Sequence, residues 1–129
     1  MLDTNICIYL IAGRPEKVFD RLARQNQGGV VMSCLTLAEL EHGVQVQSNN
    51  FKLQDQAALE SLLSDIPALP FDHRAARAFG VLAGDGKLRR NQAIDNLIAA
   101  HAISQDAVLV TNNENDFKSY SGLKVENWA

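Results

Sequence analysis

The sequence predicts an α/β fold in which a central parallel sheet of about five strands is covered by helices. Short, mostly apolar runs typical of strands buried on both faces alternate with segments whose apolar residues recur at helical spacing. Such alternation is typical of βαβ units with right-handed crossovers. The chain has 129 residues, 47% of them apolar. We therefore expect a single compact domain over residues 1–129, with a core that needs neither disulfides nor a structural metal.

The first half of the chain begins with Met1-Leu2-Asp3, a predicted strand that ends in an acid. Gly13 stops the helix that follows, and Pro15 lies in the first turn of the next one. In chain order, the predicted elements of this half are a strand at 1–3, helices at 5–12 and 15–24, a strand at 30–34, a helix that begins near 36, a polar turn at 47–50 and a helix at about 52–64.

The helix that begins near residue 36 has two features of its own. Thr36 and Glu39 have the spacing of a capping box, in which each side chain caps a backbone amide of the first turn. Gly43 lies inside the helix, where glycine costs about 1 kcal/mol relative to alanine. We therefore expect another part of the chain to approach Gly43 closely.

The second half of the chain begins with a strand bracketed by Pro67 and Pro70, which must be short or lie at a sheet edge. Asp72 is predicted to cap the next helix. In chain order, the predicted elements are a strand at 68–71, a helix that begins after 72 and ends at 84–86, a basic loop at 87–91, a helix at 93–104, a strand at 107–111, a polar turn at 112–116 and a last strand at 123–126.

Composition limits the classes of function. The net charge is −3 and the pI is about 5.5, which argues against a protein that holds nucleic acid by broad electrostatic attraction. A nuclease stays possible if its acids are gathered in one cleft beside a local basic strip. No apolar run is long enough to cross a membrane. Cys7 and Cys34 lack metal-like or redox-like spacing, so we expect buried free thiols and a cytoplasmic location.

Acidic side chains recur where parallel strands end or where the following helices begin. Because these points meet at one edge of a parallel sheet, we expect the acids to lie close together. Each acid also has a structural interpretation: Asp3 as a helix cap, Glu39 as part of the capping box, and Asp95 as an acid favoured by its helix dipole. The polar positions that qualify are Asp3, Glu39, Asp95, Asn113 and Asp116.

Clustered carboxylates predict a cation site. At ~4 Å and an effective dielectric near ~20, each pair repels by about 4 kcal/mol. Oxygen ligands without paired Cys or His select Mg²⁺ or Mn²⁺, and such an ion assists hydrolysis of a phosphodiester. The basic residues Lys87, Arg89 and Arg90 fit contacts with an RNA backbone, with an ordinary solvated loop as the alternative.

Five segments in this order resemble a PIN-domain toxin of the VapC family: Met1 to Asn5, Leu35 to Gly43, Asp95 to Ala102, Val110 to Phe117, and Gly122 to Trp128. The resemblance covers the whole chain. It implies a three-layer α/β/α PIN-like fold with sheet order 3-2-1-4-5. It also implies a Mg²⁺-dependent endoribonuclease, with Mn²⁺ as a substitute, that inhibits translation by cutting RNA, often tRNA or rRNA.

The resemblance also implies roles for individual residues. Asp3, Glu39 and Asp95 match the metal-binding acids, and Asp116 joins them as a catalytic acid. The family's fourth position is often Asp, whereas this chain has Asn113 there with Asp116 close by. One firmly held ion and a second ion recruited by substrate are therefore expected. The polar residues that support these acids are Thr4, Asn5, Thr111 and Asn113.

For partners, the resemblance implies an RNA substrate, a homodimer, and a cognate VapB-type antitoxin whose tail lies in the active-site groove. Operator DNA is bound only through the antitoxin, and no membrane is involved. Two alternatives stay open. A haloacid-dehalogenase-like phosphatase or a receiver domain also ends its first strand in Asp, although Asn5 and the absence of Lys after the late strand argue against both. A non-catalytic PIN-like RNA- or protein-binding module is the other.

Overall fold

The computed structural model of the chain describes residues 1–26, 28–47 and 49–129, without the side chains of residues 49–51 and 53. The helices of this described part are α1 (Thr4–Ala12), α2 (Glu16–Ala23), α3 (Cys34–Gln45), α4 (Asn49–Asp65), α5 (His73–Gly84), α6 (Ala93–Ser104) and α7 (Glu114–Phe117). The strands are β1 (Met32–Ser33), β2 (Ala68–Leu69), β3 (Val108–Val110) and β4 (Lys124–Glu126).

The sheet is parallel and has Leu2 at its centre. Leu2 forms one bridge to Met32 of β1 and another to Val110 of β3, while β2 pairs with β1 and β4 pairs with β3. The order across the sheet is therefore β2, β1, Leu2, β3, β4. This confirms the predicted α/β fold and the order 3-2-1-4-5, in which the segment around Leu2 is the first strand.

The strands are shorter than predicted. The strand expected at 1–3 is reduced to the bridge residue Leu2, because Thr4 already begins α1 and Asp3 is its N-cap. The strand expected at 30–34 pairs only over Met32–Ser33. In both places a helix begins directly after the paired residues, so the ladder cannot continue towards the C-terminus.

The predicted capping box at Thr36 is wrong. The N-cap of α3 is Ser33, whose Oγ accepts a hydrogen bond from the backbone amide of Leu35 at 3.1 Å. Thr36 is buried inside the helix instead. The close approach expected at Gly43 is also absent within the described residues, since a Cβ built there would meet no heavy atom within 4 Å.

Two predicted turns are partly helical. In the segment 47–50, Asn49 and Asn50 belong to α4, and Ser48 lies outside the described residues. The segment 112–116 contains the start of the short helix α7. By contrast, α6 has the predicted bounds, and Asp72 caps α5 as expected, accepting from the amide of Ala75 at 3.0 Å.

Two apolar clusters form the core. One includes Leu2, Ile6, Met32, Leu40 and Leu59 and joins α1, α3 and α4 to the sheet. The other contains the buried residues Met1, Leu82, Ile98, Ala99, Ala100, Ala102, Leu109, Phe117 and Tyr120, which bring α5 and α6 together with the other half of the sheet. Helices therefore cover the sheet on both faces, which gives three layers in total. No helix of the described chain is long and apolar enough to cross a membrane.

Candidate active site

A pocket of about 150 Å³ opens where α1, α3, α6 and α7 begin or pass the sheet edge. Its four acids come from segments that are far apart in sequence. The residues that line it are Asp3, Thr4, Asn5, Glu39, Asp95, Ile98, Asn113, Asp116 and Phe117. The structure thus brings together all four acids named from the sequence.

Asp3 lies at the floor of the pocket and is only 6% exposed. Its Oδ1 accepts a hydrogen bond from the backbone amide of Ile6 at 3.0 Å, which caps α1. Burial raises the pKa of Asp3, and the nearby Asp95 raises it further, although hydrogen bonds, chiefly from Thr111, oppose this shift. The helix cap and a place in the acidic pocket are therefore compatible roles for the same carboxylate.

Glu39 reaches the pocket from the second turn of α3. Its Oε1 accepts a hydrogen bond at 2.5 Å from the hydroxyl of Thr4, in the first turn of α1. Thr36 Oγ1 lies 3.5 Å from the same Thr4 hydroxyl. Because Ser33 caps the helix, Glu39 is free of the capping role and its carboxylate turns towards the pocket.

Asp95 lies in the first turn of α6 and is half-buried in the pocket. Burial is the main cause that raises its pKa, and the charges of Glu39 and Asp116 raise it further. The charge of Arg89 acts in the opposite direction. Ala99 and Ala102, one and two turns further along the same side of α6, are fully buried.

Asp116 is bound by other groups of the chain. Arg89 Nη2 lies 3.4 Å from Asp116 Oδ1, and Arg89 Nη1 donates to the backbone carbonyl of Asp116 at 2.6 Å. The amide of Asn113 donates to Asp116 Oδ2. The Arg89 side chain is 28% exposed and that of Asp116 is 38% exposed. Each oxygen of this carboxylate therefore has one protein donor beside it.

Asn96 and Tyr120 hold the Arg89 loop in place, and sequence reasoning missed both. Asn96 Oδ1 accepts from the amide of Arg89 at 2.8 Å, and Asn96 Nδ2 donates to the carbonyl of Arg89 at 2.9 Å. The hydroxyl of Tyr120 donates to Asn96 Oδ1 at 2.6 Å, and burial raises the pKa of Tyr120 to about 12. The only sequence signal was the position of Asn96 directly after Asp95.

The predicted supporting residues lie around the acids. Asn5 Nδ2 donates to Asn112 Oδ1 at 3.2 Å, and Asn112 Nδ2 donates to the Tyr9 hydroxyl at 2.8 Å, which links the start of α1 to the end of β3. Thr111 is buried beside Asp3, and its Oγ1 accepts from the amide of Asn113 at 3.0 Å. These bonds connect the two loops that meet at the pocket.

The three basic residues predicted to bind RNA have different surroundings. Lys87 and Arg90 are exposed, whereas Arg89 is half-buried in the contacts with Asp116. None of the three lines the acidic pocket itself. The basic loop therefore lies beside the pocket through Arg89 and presents the other two charges to solvent.

His101 connects the helices that carry Glu39 and Asp95. It is fully buried on α6, and its Nδ1 lies 2.7 Å from Oγ of Ser33, the N-cap of α3. Burial lowers its pKa, which favours the neutral imidazole. His101 is therefore a core residue and does not line the pocket.

The pocket has the donor chemistry of a site for a hard divalent cation, because it holds four carboxylates and no thiol or imidazole. Burial is the main cause of the raised pKa values of Asp3 and Asp95, and the charges of neighbouring acids raise both further. However, no three His, Cys, Asp or Glu side chains of the described residues lie close enough to share an ion. The acids therefore have the right chemistry for a metal, while two of them contact other side chains: Glu39 binds the Thr4 hydroxyl, and Asp116 pairs with Arg89.

Comparisons with known proteins agree with the geometry. The PIN domain family model matches residues 1–123. The tRNA(fMet)-specific endonuclease VapC of Shigella flexneri is 35% identical over 132 residues, which cover 100% of this chain and 97% of that protein. Ribonuclease VapC2 of Rickettsia felis is 37% identical over 135 residues, which cover 99% of this chain and 96% of that one.

A solved structure is similar throughout. The crystal structure of VapBC2 from Rickettsia felis bound to a DNA fragment from their promoter contains a chain that superposes with a TM-score of 0.84 at 36% sequence identity. The match covers 100% of this chain and 98% of that chain. The likeness therefore extends over the sheet, both helical layers and the four segments that form the pocket.

Proposed function

The chain belongs to the PIN-domain family and, within it, to the VapC ribonucleases, and on that basis we propose that it is an endoribonuclease toxin that acts at the acidic pocket. The observation that carries this proposal is the convergence of Asp3, Glu39, Asp95 and Asp116 on one pocket. Hydrolysis of an RNA phosphodiester is the reaction. The phosphatase and receiver alternatives lose their support with the family assignment.

Mg²⁺ is the proposed cofactor, and Mn²⁺ can replace it. Asp3, Glu39 and Asp95 would hold the ion, because their oxygens are the ligands that these cations prefer and because their crowding disfavours the pocket without one. When bound, the ion lowers the pKa of an attacking water and offsets the charge that develops on the phosphate.

The chain's own residues orient these acids. The amide of Ile6 and the Thr111 side chain fix the Asp3 carboxylate, and the Thr4 hydroxyl directs Glu39 towards the pocket. Asp116, held by Arg89, adds a fourth acid at the rim and takes part in catalysis once substrate is bound. The side chains of Asn5, Thr111 and Asn113 form hydrogen bonds that hold the loops at the pocket in place.

RNA is the proposed substrate, and tRNA or rRNA is the proposed class, since cutting either stops translation. Lys87 and Arg90 are the charges free to follow the RNA backbone because both side chains are exposed beside the pocket. Replacing both with Gln should weaken RNA binding and lower the salt slope by about 0.7 per lost contact. An unchanged slope would show that the loop is ordinary surface.

We extend the proposal to the chain's assembly. A single PIN domain over residues 1–129 forms a homodimer that a VapB-type antitoxin neutralises, and operator DNA is bound only through the antitoxin. The similarity to VapBC2, solved on promoter DNA, supports this assembly. Light scattering of the purified chain, alone and after co-expression with its antitoxin, would test it, and a monomer in isolation would contradict the homodimer.

The function is tested by cleavage of structured RNA with the purified chain. Fragments should appear with Mg²⁺ or Mn²⁺ and disappear in excess EDTA. Asp95→Asn, folded by circular dichroism, is the control for a contaminating nuclease. Equal cleavage in EDTA would refute the metal-dependent mechanism. RNA binding without cleavage under every metal condition would instead favour the non-catalytic PIN-like module.

A further inference from the structure

Arg89 lies in an unusual position for a residue of a basic loop, because its guanidinium points back at the chain's own active site. It forms an ion pair with the Asp116 carboxylate and also donates to the Asp116 carbonyl. The neighbouring Arg90 is exposed. Two adjacent arginines therefore have different surroundings, and only Arg89 contacts a pocket acid.

The backbone of Arg89 is also held by hydrogen bonds. Asn96 binds both the amide and the carbonyl of Arg89, and the Tyr120 hydroxyl anchors Asn96 from the other side. Asn96 follows Asp95 directly on α6, so the same turn of helix carries a pocket acid and the clamp for Arg89. The backbone from which the guanidinium reaches Asp116 is therefore tied to the helix that carries Asp95.

The positive charge of Arg89 offsets the charge of Asp116, one of the four acids of the pocket. The guanidinium lies beside one oxygen of the Asp116 carboxylate and the Asn113 amide donates to the other, so each oxygen has a donor that a metal would have to share or displace. A guanidinium also binds phosphate oxygens with the same geometry that it uses for a carboxylate. Arg89 can therefore exchange Asp116 for an RNA phosphate without losing an ionic partner.

We propose that Arg89 is a built-in counter-ion that keeps Asp116 from a second divalent cation until an RNA phosphate draws the guanidinium away. The proposal rests on the metal-dependent function proposed above. It assigns Arg89 a positioning role that differs from the backbone contacts of Lys87 and Arg90. In this proposal, Asp3, Glu39 and Asp95 bind the first ion. The second ion binds only when the RNA substrate is present.

The test is a Mn²⁺ titration of the full chain by calorimetry and by electron paramagnetic resonance, without RNA. The wild-type chain should bind one equivalent tightly and a second weakly. Arg89→Gln should tighten the weak equivalent by about tenfold, in keeping with the effect of a neighbouring cation on a carboxylate. Arg90→Gln, the matched control, should change it by less than about twofold because an exposed charge is screened by solvent.

Two further variants separate a charge effect from a folding effect. Arg89→Lys keeps the charge and should bind Mn²⁺ as the wild-type chain does. In an Asp116→Asn background, Arg89→Gln should have no effect on the weak equivalent. Unchanged or weaker Mn²⁺ binding in Arg89→Gln, an equal gain in Arg90→Gln, or a gain that persists without Asp116 would each overturn the inference. Absence of any Mn²⁺ binding in the wild-type chain would instead refute the proposed function, and the inference with it.

Discussion

The two sides of the acidic pocket stabilise their carboxylates in different ways. On one side, Asp3 and Glu39 accept hydrogen bonds from neutral groups, such as the hydroxyl of Thr4. On the other side, Asp116 pairs with the cation Arg89. Neutral donors fix an acid without changing the net charge, so repulsion remains on the first side. A guanidinium cancels charge, so the second side is already balanced.

This difference indicates how one pocket can prefer a cation on one side only. The pKa of Asp3 is raised, first by burial and to a smaller extent by the charge of Asp95, although hydrogen bonds from neutral donors oppose this shift. The proposed divalent ion is therefore assigned to Asp3, Glu39 and Asp95, the acids that no cation of the chain pairs with. Each experiment below changes one side and leaves the other intact.

The largest expected effect is on the cleavage rate, when an acid that forms no ion pair with the chain is replaced. Asp3→Asn or Asp95→Asn should lower the cleavage rate by about a thousandfold, because an ion contributes several kcal/mol of transition-state stabilisation and each ~1.4 kcal/mol corresponds to a factor of about ten. Asn still caps a helix, so Asp3→Asn should fold. Asp116→Asn should cost only about tenfold. Single-turnover rates would measure the three variants, and an equal loss in Asp116→Asn would remove the distinction between the two sides.

A smaller effect is expected from the neutral donor on the first side. Thr4→Val removes the hydroxyl that orients Glu39 and should weaken activity or Mn²⁺ affinity about 10- to 100-fold, the usual range for residues that orient metal ligands. The change in unfolding free energy should stay near ~1 kcal/mol. Thr4→Ser keeps the hydroxyl and is the matched control. If Ser and Val variants behave alike, Thr4 contributes packing rather than orientation.

The smallest expected effect is on stability as a function of pH, measured in EDTA. Because the folded-state pKa of Asp95 is raised, the folded chain binds protons more readily than the unfolded chain, and stability should increase as pH falls through that pKa. The difference between wild type and Asp95→Asn isolates this contribution. As the pH falls from neutrality through the folded-state pKa of Asp95, this difference should shift in favour of the wild type by no more than about 1 kcal/mol, because the group is half-exposed. Denaturant unfolding would show the sign, and the opposite sign would contradict the raised pKa.

The parts of the fold that could be predicted from sequence depend on local patterns. The bounds of α6 follow from its apolar spacing, and the Asp72 cap follows from the chemistry of its own side chain. The error at α3 shows the limit of this approach. Ser33 and Thr36 both have a hydroxyl that can cap a helix, and the sheet decides between them because β1 ends at Ser33.

The acids of the site could be named from sequence because strand ends in a parallel sheet meet at one edge. The environment of Arg89 could not, since the residue looks like its neighbour Arg90 in a basic loop. Its partner Asp116 lies 27 positions further along the chain, and its clamp Asn96 belongs to the following helix. Such contacts depend on tertiary packing, which no local pattern encodes.

The central place of Leu2 in the sheet has a consequence for the acid that follows it. The amide of Leu2 donates to Val31 at 2.8 Å, and the amide of Asp3 donates to Val110 at 2.9 Å, so this backbone is bonded to both halves of the sheet. Amides of this kind exchange their hydrogens only when the whole domain opens. Local fraying therefore cannot move Asp3 away from the neighbouring acids. The repulsion between these carboxylates persists as long as the domain stays folded.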